Sequence, residues 1–180
     1  SSLVKVGFDH GEWIYRLIAE DGSEFEAFRN GESLGTVKWP LIGLHNVKNA
    51  LMAIAACAAD PANVDPKSAV EALSSFEPPL RRMEYKGEFA GVKLYDDFAH
   101  HPTAIRTTIH GLREKIGKDA RLIAVLEPRS NTMKLGVHRK TLAGSLEESD
   151  IAFVFAPQDL PWNTDELAEG APVPLHVFHD

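Results

Sequence analysis

The chain has a single cysteine, Cys57, among its 180 residues, so no disulfide framework is available to it. Cys57 lies in the apolar, alanine-rich stretch Ala53 to Ala59, where a buried and inert thiol is expected, as suits a reducing cytoplasm. Long apolar runs are missing too: none approaches the ~20 residues that a membrane-spanning helix needs. The opening residues Ser1-Ser2-Leu3-Val4-Lys5 lack the pattern of a signal peptide. Positive charge is scarce. Lys and Arg number 19 against 26 Asp and Glu, a formal net charge of −7. A nucleic-acid partner is unexpected on that balance, because phosphate backbones demand a basic face. Internal repeats and low-complexity segments are absent as well.

What is present is ordinary for a folded domain: 44% apolar and 25% charged residues. The length suits one large domain or two small ones. Residues 12–39 read as a β-meander. Trp13 to Ile18 leads into the turn pair Asp21-Gly22, Phe25, Ala27 and Phe28 form a return strand, and Asn30-Gly31 turns into a third strand from Leu34 to Trp39. Val47, Leu51, Ile54 and Ala58 then recur at helical spacing, with Asp60-Pro61 as the stop. A second helix is predicted from Pro66 to Leu73, with the proline in its first turn.

Glu77-Pro78-Pro79 interrupts that pattern, because consecutive prolines stiffen a connection and disfavour helix. The expected domain boundary falls there, giving parts 1–78 and 79–180. A hairpin is predicted from Met83 to Tyr95 around Ala90-Gly91. A helix follows from Pro102, with Ile105, Ile109, Leu112 and Ile116 on one stripe and Gly117 as its stop. Leu122 to Leu126 is a short apolar run of the kind expected of a parallel strand buried on both faces. A helix from about His138 to Glu147 and a second strand, Ile151 to Phe155, complete a strand–helix–strand alternation. That alternation predicts an α/β, Rossmann-like layout. The last residues, Val177 to Asp180, read as another strand with nothing after it to cover it. Residues 1–40 read as the tail of a larger sheet. Both ends are therefore expected to be cut from a longer protein, with Trp13, Ile14 and Leu17 left exposed.

Four polar clusters could carry chemistry. Gly43-Leu44-His45-Asn46-Val47-Lys48-Asn49 puts Asn46 and Asn49 on one face at a helix start. An asparagine amide offers a donor and an acceptor together, which matches an adenine edge. It can equally cap the helix. Leu80-Arg81-Arg82-Met83-Glu84 places arginines at the junction, where a guanidinium could clamp a phosphate or pair with Glu84 or Glu88. Tyr95-Asp96-Asp97-Phe98-Ala99-His100-His101-Pro102-Thr103 ends a strand in two carboxylates before a proline-led helix. Ligands of open α/β sheets bind beyond such strand ends. Adjacent carboxylates need an answering cation, a ribose diol or a turn to cap. Adjacent histidines point apart, so no metal site is expected of His100 and His101. The fourth cluster, Glu127-Pro128-Arg129-Ser130-Asn131-Thr132-Met133-Lys134, follows a buried strand with an acid, two cations and small hydrogen-bonding groups. That mixture suits a zwitterionic or peptide-like ligand.

In order and spacing, Gly-x-His-Asn-x-x-Asn at 43–49, Arg-Arg-Met-Glu at 81–84 and Asp-Asp-Phe-Ala-His-His-Pro-Thr at 96–103 resemble the Mur ligase superfamily. The resemblance runs from about Trp13 onward. The Asp-Asp-(aromatic)-(small)-His-His-Pro form is similar to the branch acting on UDP-N-acetylmuramate. Glu-Pro-Arg-Ser-Asn-Thr-Met-Lys at 127–134 is similar to the peptide-adding members of that branch rather than the L-alanine-adding ones.

The resemblance implies the tail of a central ATPase domain at 1–78 and a carboxyl-terminal Mur ligase domain at 79–180. It implies that Asn46 and Asn49 face the adenine of ATP, that Arg82 reaches its phosphates and that Asp97 holds its ribose. His100, His101, Glu127, Arg129, Ser130, Asn131 and Lys134 would meet the incoming peptide, L-alanyl-γ-D-glutamyl-meso-diaminopimelate. ATP and magnesium are the implied helpers, with the metal's ligands lying elsewhere in the family. The implied setting is the bacterial cytoplasm and peptidoglycan recycling, with no nucleic acid or membrane as partner. No Gly-x-x-x-x-Gly-Lys-Ser/Thr phosphate loop occurs in the chain, so these 180 residues alone are expected neither to hydrolyse ATP nor to form the amide bond. Two alternatives stay open: an L-alanine-adding ligase, and a non-catalytic α/β module that binds a peptide or nucleotide.

Overall fold

A computed structural model describes residues 11–59, 64–157 and 160–179. The chain divides into two compact units, residues 1–96 and 97–180.

The first unit opens with the expected meander. Strands β1 (Trp13–Leu17), β2 (Glu24–Arg29) and β3 (Glu32–Lys38) pair antiparallel in the order β1-β2-β3. Strand alternation sends Trp13, Phe25, Ala27 and Val37 to one face, where helices α1 (Leu44–Ala59) and α2 (Pro66–Ser74) cover them. Val47, Leu51 and Ile54 supply the helical side of this core. Trp13 is 1% exposed, against the expectation that it would be uncovered. It sits at the closed end of the sheet, with the Arg29 guanidinium 4.8 Å over its ring. Leu17, at the other end of β1, is exposed as expected. Cys57 is half-buried rather than buried, because it lies beside the stripe that α1 turns inward. The expected stop at Asp60-Pro61 lies outside the described residues.

The outer face of this sheet is mixed: Ile14, which was expected to be exposed, pairs there with Phe28, and both are half-buried, with the Arg16 guanidinium over the Phe28 ring. Arg16 pairs with Glu26, whose carboxylate also accepts the Ser33 hydroxyl, and Lys38 pairs with Glu24. In α2, Asp65 caps the helix start by accepting the Ser68 amide at 3.3 Å, and Pro66 fills the first turn.

Strands β4 (Glu84–Phe89) and β5 (Val92–Asp96) form an antiparallel hairpin, closed by Ala90 and Gly91. It forms its own two-stranded sheet and is counted with the first unit. The sequence pattern instead sets the boundary at 78/79, at the Glu77-Pro78-Pro79 break.

The second unit is a parallel α/β layer. Helix α3 (Pro102–Ile116) precedes strands β6 (Ile123–Leu126), β7 (Ile151–Ala156) and β8 (Leu175–His179), which pair parallel in the order β6-β7-β8. Between β6 and β7 the chain forms α4 (Asn131–Lys134), α5 (Arg139–Leu142) and a 3-10 turn (Ala143–Leu146). The single helix expected over His138–Glu147 is therefore broken. Within it the Ser145 hydroxyl donates to the Leu142 carbonyl at 2.6 Å, a back-bond that slightly weakens and bends a helix. Helix α6 (Glu166–Glu169) lies between β7 and β8.

Ile105, Ile109, Leu142, Leu146 and Leu167 from the helical segments pack on Ala152, Val154 and Leu175 of the sheet. Strand β6 pairs parallel as expected, but it is not buried on both faces. Ala124 and Leu126 turn toward the core, while Ile123 is exposed and Val125 is 77% exposed. Phe153 and Phe178 lie on that same outer face, with ring centroids 5.7 Å apart. Among the described residues, no helix is long and apolar enough to cross a membrane.

Arg113, on α3, fastens the start of this layer. Its guanidinium donates to the carbonyls of Gly117, Ala120 and Glu148 and to the Asp150 carboxylate. Asp150 also accepts the Leu122 amide at 2.6 Å. These two bonds hold the Asp150 carboxyl below the usual carboxylate range, the backbone amide more strongly than the arginine.

Candidate functional site

In the first unit the candidate residues stand at the start of α1. The Asp21-Gly22 turn fixes that start. The Gly43 amide donates to the Asp21 carbonyl at 2.6 Å, and the Trp39 indole to the Gly22 carbonyl at 3.0 Å. Gly22 lies so close to α1 that a Cβ there would sit 3.0 Å from the Val47 Cγ2. Asn46 does not cap an amide: its side chain donates to the Ile42 carbonyl at 2.8 Å. That bond uses part of the amide and holds its orientation. Asn49 is exposed and sits three positions further along the helix.

At the base of the hairpin, Arg81 and Met83 flank Arg82 with positive φ, 61° and 48°. The Arg81 amide donates to the Glu84 carboxylate and its guanidinium pairs with Asp96 at 3.1 Å. Glu84 is consequently held below the usual carboxylate range, first by the Lys86 ammonium and next by the Arg81 amide. Arg82, between these anchors, is exposed. Of the two adjacent carboxylates, Asp96 is answered by Arg81. Asp97 caps the following turn by accepting the Ala99 amide at 2.8 Å, and the Thr108 hydroxyl lies 3.4 Å from the same oxygen.

In the second unit the two remaining clusters come together. The Ser130 hydroxyl lies 3.4 Å from the His100 carbonyl, so the loop after β6 touches the loop before α3. His101 caps α3: its Nδ1 accepts the Thr103 amide at 3.2 Å. A neutral His101 therefore carries its proton on Nε2. The His101 ring also meets His138 edge to face, with centroids 4.3 Å apart. His138 lies beyond the expected 127–134 cluster, and only its position before α5 could have flagged it. His100 turns its Nδ1 toward the Phe98 carbonyl, 3.0 Å away. The two histidines thus serve different local bonds. Among the described residues, no group of three or more His, Cys, Asp or Glu could hold a metal ion.

The 127–134 loop has an ordered backbone and an open rim. Pro128 and Met133 are buried, while Arg129 and Asn131 are exposed. Arg129 pairs with Glu127 at 3.1 Å, and Ser130 caps α4 by accepting the Met133 amide. Lys134 ends the same short helix. The loop leaves the carboxyl end of a parallel strand, where α/β sheets bind ligands. The rim combines an acid, two cations, a hydroxyl and an amide over two buried anchors. Such a set can recognise a ligand carrying both amine and carboxylate groups.

Residues 81–180 match the family described as Mur ligase, glutamate ligase domain. A UDP-N-acetylmuramate–L-alanyl-γ-D-glutamyl-meso-2,6-diaminoheptandioate ligase of Escherichia coli is 49% identical over 172 residues, covering 96% of this chain and 37% of the relative. A UDP-N-acetylmuramate–L-alanine ligase of Anaeromyxobacter dehalogenans is 35% identical, over 83% of this chain and 30% of its own length. Among solved structures, a murein peptide ligase of Psychrobacter arcticus superposes with a TM-score of 0.66 at 40% identity, covering 96% of this chain and 37% of that one. The chain thus spans about a third of the length of these relatives, 30% to 37%.

Proposed function

The chain belongs to the Mur ligase family, and from that premise we propose that the full-length protein is an ATP-dependent amide ligase of peptidoglycan recycling. Its reaction joins UDP-N-acetylmuramate to L-alanyl-γ-D-glutamyl-meso-diaminopimelate in the cytoplasm. The observation that carries this reading is the 49% identity to the E. coli tripeptide ligase over nearly the whole chain, against 35% to an L-alanine ligase. The Glu127-to-Lys134 loop is consistent with an amine substrate: its acid, two cations and small polar groups over buried anchors suit a ligand with amine and carboxylate groups.

Within that reaction two sets of residues divide the work. Residues 1–78 would belong to the central ATP-binding domain and residues 79–180 to the carboxyl-terminal domain. Asn46, Asn49, Arg82 and Asp97 bind ATP. The exposed Asn49 amide and the pre-oriented Asn46 amide suit a base edge, and the exposed Arg82 fork suits a phosphate. His100, His101, Glu127, Arg129, Ser130, Asn131 and Lys134 hold the tripeptide and present its amine. Holding two reactants in one orientation supplies much of the rate gain in such a reaction. Magnesium, when bound with ATP, supplies charge neutralisation. This chain's described residues offer it no cluster, so none of them is assigned to it.

The test is phosphate release and amide product from the full-length protein, given ATP, magnesium and UDP-N-acetylmuramate with either the tripeptide or L-alanine. Turnover with the tripeptide is expected. Turnover with L-alanine alone would move the protein to the L-alanine-adding branch. No turnover with either would favour a binding module.

A further inference from the structure

The loop that carries Arg129 to Lys134 is held in place by a residue outside every cluster read from the sequence. Trp162 lies in the connection between β7 and α6. Its indole Nε1–H donates to the Met133 carbonyl at 3.0 Å. The Gly136 amide donates to the same carbonyl at 2.9 Å. The indole and the Gly136 amide thus converge on one carbonyl oxygen, which has two lone pairs to accept them.

The indole also occupies space that any other residue at 136 would need. Gly136 has φ +67, and a Cβ there would lie 2.9 Å from the Trp162 Cδ1 and 3.0 Å from its Cγ. Both crowding and backbone conformation therefore require glycine. On its inner side, Met133 is 2% exposed and packs in the core of this unit, against which Trp162 also packs. The turn at 133–136 is thus fixed between that core and the indole. At its other end the loop is tied by the Ser130 contact to the His100 carbonyl.

The placement gives this clamp its meaning. Strands β6 and β7 are parallel neighbours, so the loops following them leave the same, ligand-binding end of the sheet. Trp162 reaches from the second of these loops to the first. We propose that Trp162 is a positioning residue for the amine substrate. By setting the turn at Met133 and Gly136, it fixes how Arg129, Ser130, Asn131 and Lys134 reach the peptide, without touching the peptide itself. This rests on the tripeptide reading above.

The experiment uses the full-length protein labelled with 5-fluorotryptophan, the Trp162 resonance being assigned by Trp162→Phe. Titration with the tripeptide is expected to move that resonance, while ATP alone leaves it in place. In kinetics, Trp162→Phe keeps a ring over Gly136 but loses the bond to Met133. It is expected to raise the tripeptide KM about fivefold, as one lost hydrogen bond does. Gly136→Ala displaces the ring and is expected to raise it further. The KM for ATP and for UDP-N-acetylmuramate should stay constant in both variants. An unmoved Trp162 resonance at saturating tripeptide would overturn the proposal, as would a parallel rise in all three KM values. L-alanine provides the control on the underlying reading. If L-alanine is the amine turned over and it moves the resonance, the clamp stands and the tripeptide reading falls. If turnover proceeds with either amine while the resonance stays put, the clamp alone falls.

Discussion

Each unit of the chain is built on a three-stranded sheet with one face packed against helices, yet the opposite faces differ. The first sheet turns Arg16, Glu24, Glu26, Ser33 and Lys38 outward around Ile14 and Phe28, the polar groups joined in ion pairs and hydrogen bonds. The second turns Ile123, Val125, Phe153 and Phe178 outward. An antiparallel meander alternates polar and apolar residues because one side meets water. Parallel strands are apolar on both sides because helices flank them in α/β proteins. The outer face of a strand therefore records the kind of sheet it was selected for, whether or not that face is covered in these residues.

Three experiments sharpen the contrast. The largest effect is expected from Phe25→Ala, since Phe25 is fully buried in the first core. A loss of about 3–5 kcal/mol is expected, read as lost amide protection in β1–β3 and α1. Protection in β6–β8 should be kept. Equal loss in both sheets would mean that the two units do not hold separate cores.

The second contrast is in acid. Asp150 is held below its ordinary range chiefly by the Leu122 amide, then by Arg113. Glu26 is held down chiefly by the Ser33 hydroxyl, with Arg16 adding to it. A carboxyl lowered in the folded chain contributes stability above its unfolded value, about 4. That contribution is lost as pH falls through the folded value. Protection should therefore decline below about pH 4 in both sheets. Asp150→Asn is expected to reduce this decline in the second sheet and Glu26→Gln in the first, each lowering stability at neutral pH. Added salt should weaken the Arg16–Glu26 part more than the Leu122–Asp150 part, because ions screen side-chain charges more than a backbone hydrogen bond. Identical salt responses would erase the distinction.

The smallest effect is expected from Val125→Thr. The side chain is 77% exposed, so the change should stay within about 0.5 kcal/mol by denaturant titration. A cost above about 2 kcal/mol would mean that the outer face is buried in solution.

The sequence made the local elements readable because their signals are local. Asp21-Gly22 and Asn30-Gly31 mark the meander's turns, Pro66 and Pro102 open helices, and the apolar periods of α1 and α3 point to their buried faces. What depended on contacts distant in sequence was read less well. Trp13 is buried because Arg29 and the helices close over it. The helix expected over His138–Glu147 is split into α5 and a 3-10 turn, where the Ser145 hydroxyl bonds back to the Leu142 carbonyl. At the candidate site, the motif residues could be named from their order alone. Trp162 and His138 could not, because their partners lie 29 residues away at Met133 and across the ring contact at His101. A large aromatic in the connection between β7 and α6 was the one available hint.

The proposal most in need of a test is that the loop after β6 receives the peptide and not the nucleotide. Steady-state kinetics of the full-length protein with Arg129→Ala tests this most directly. Loss of one charged hydrogen-bonding partner is expected to raise the tripeptide KM at least about tenfold and leave the ATP KM unchanged. A raised ATP KM with an unaltered tripeptide KM would contradict the account.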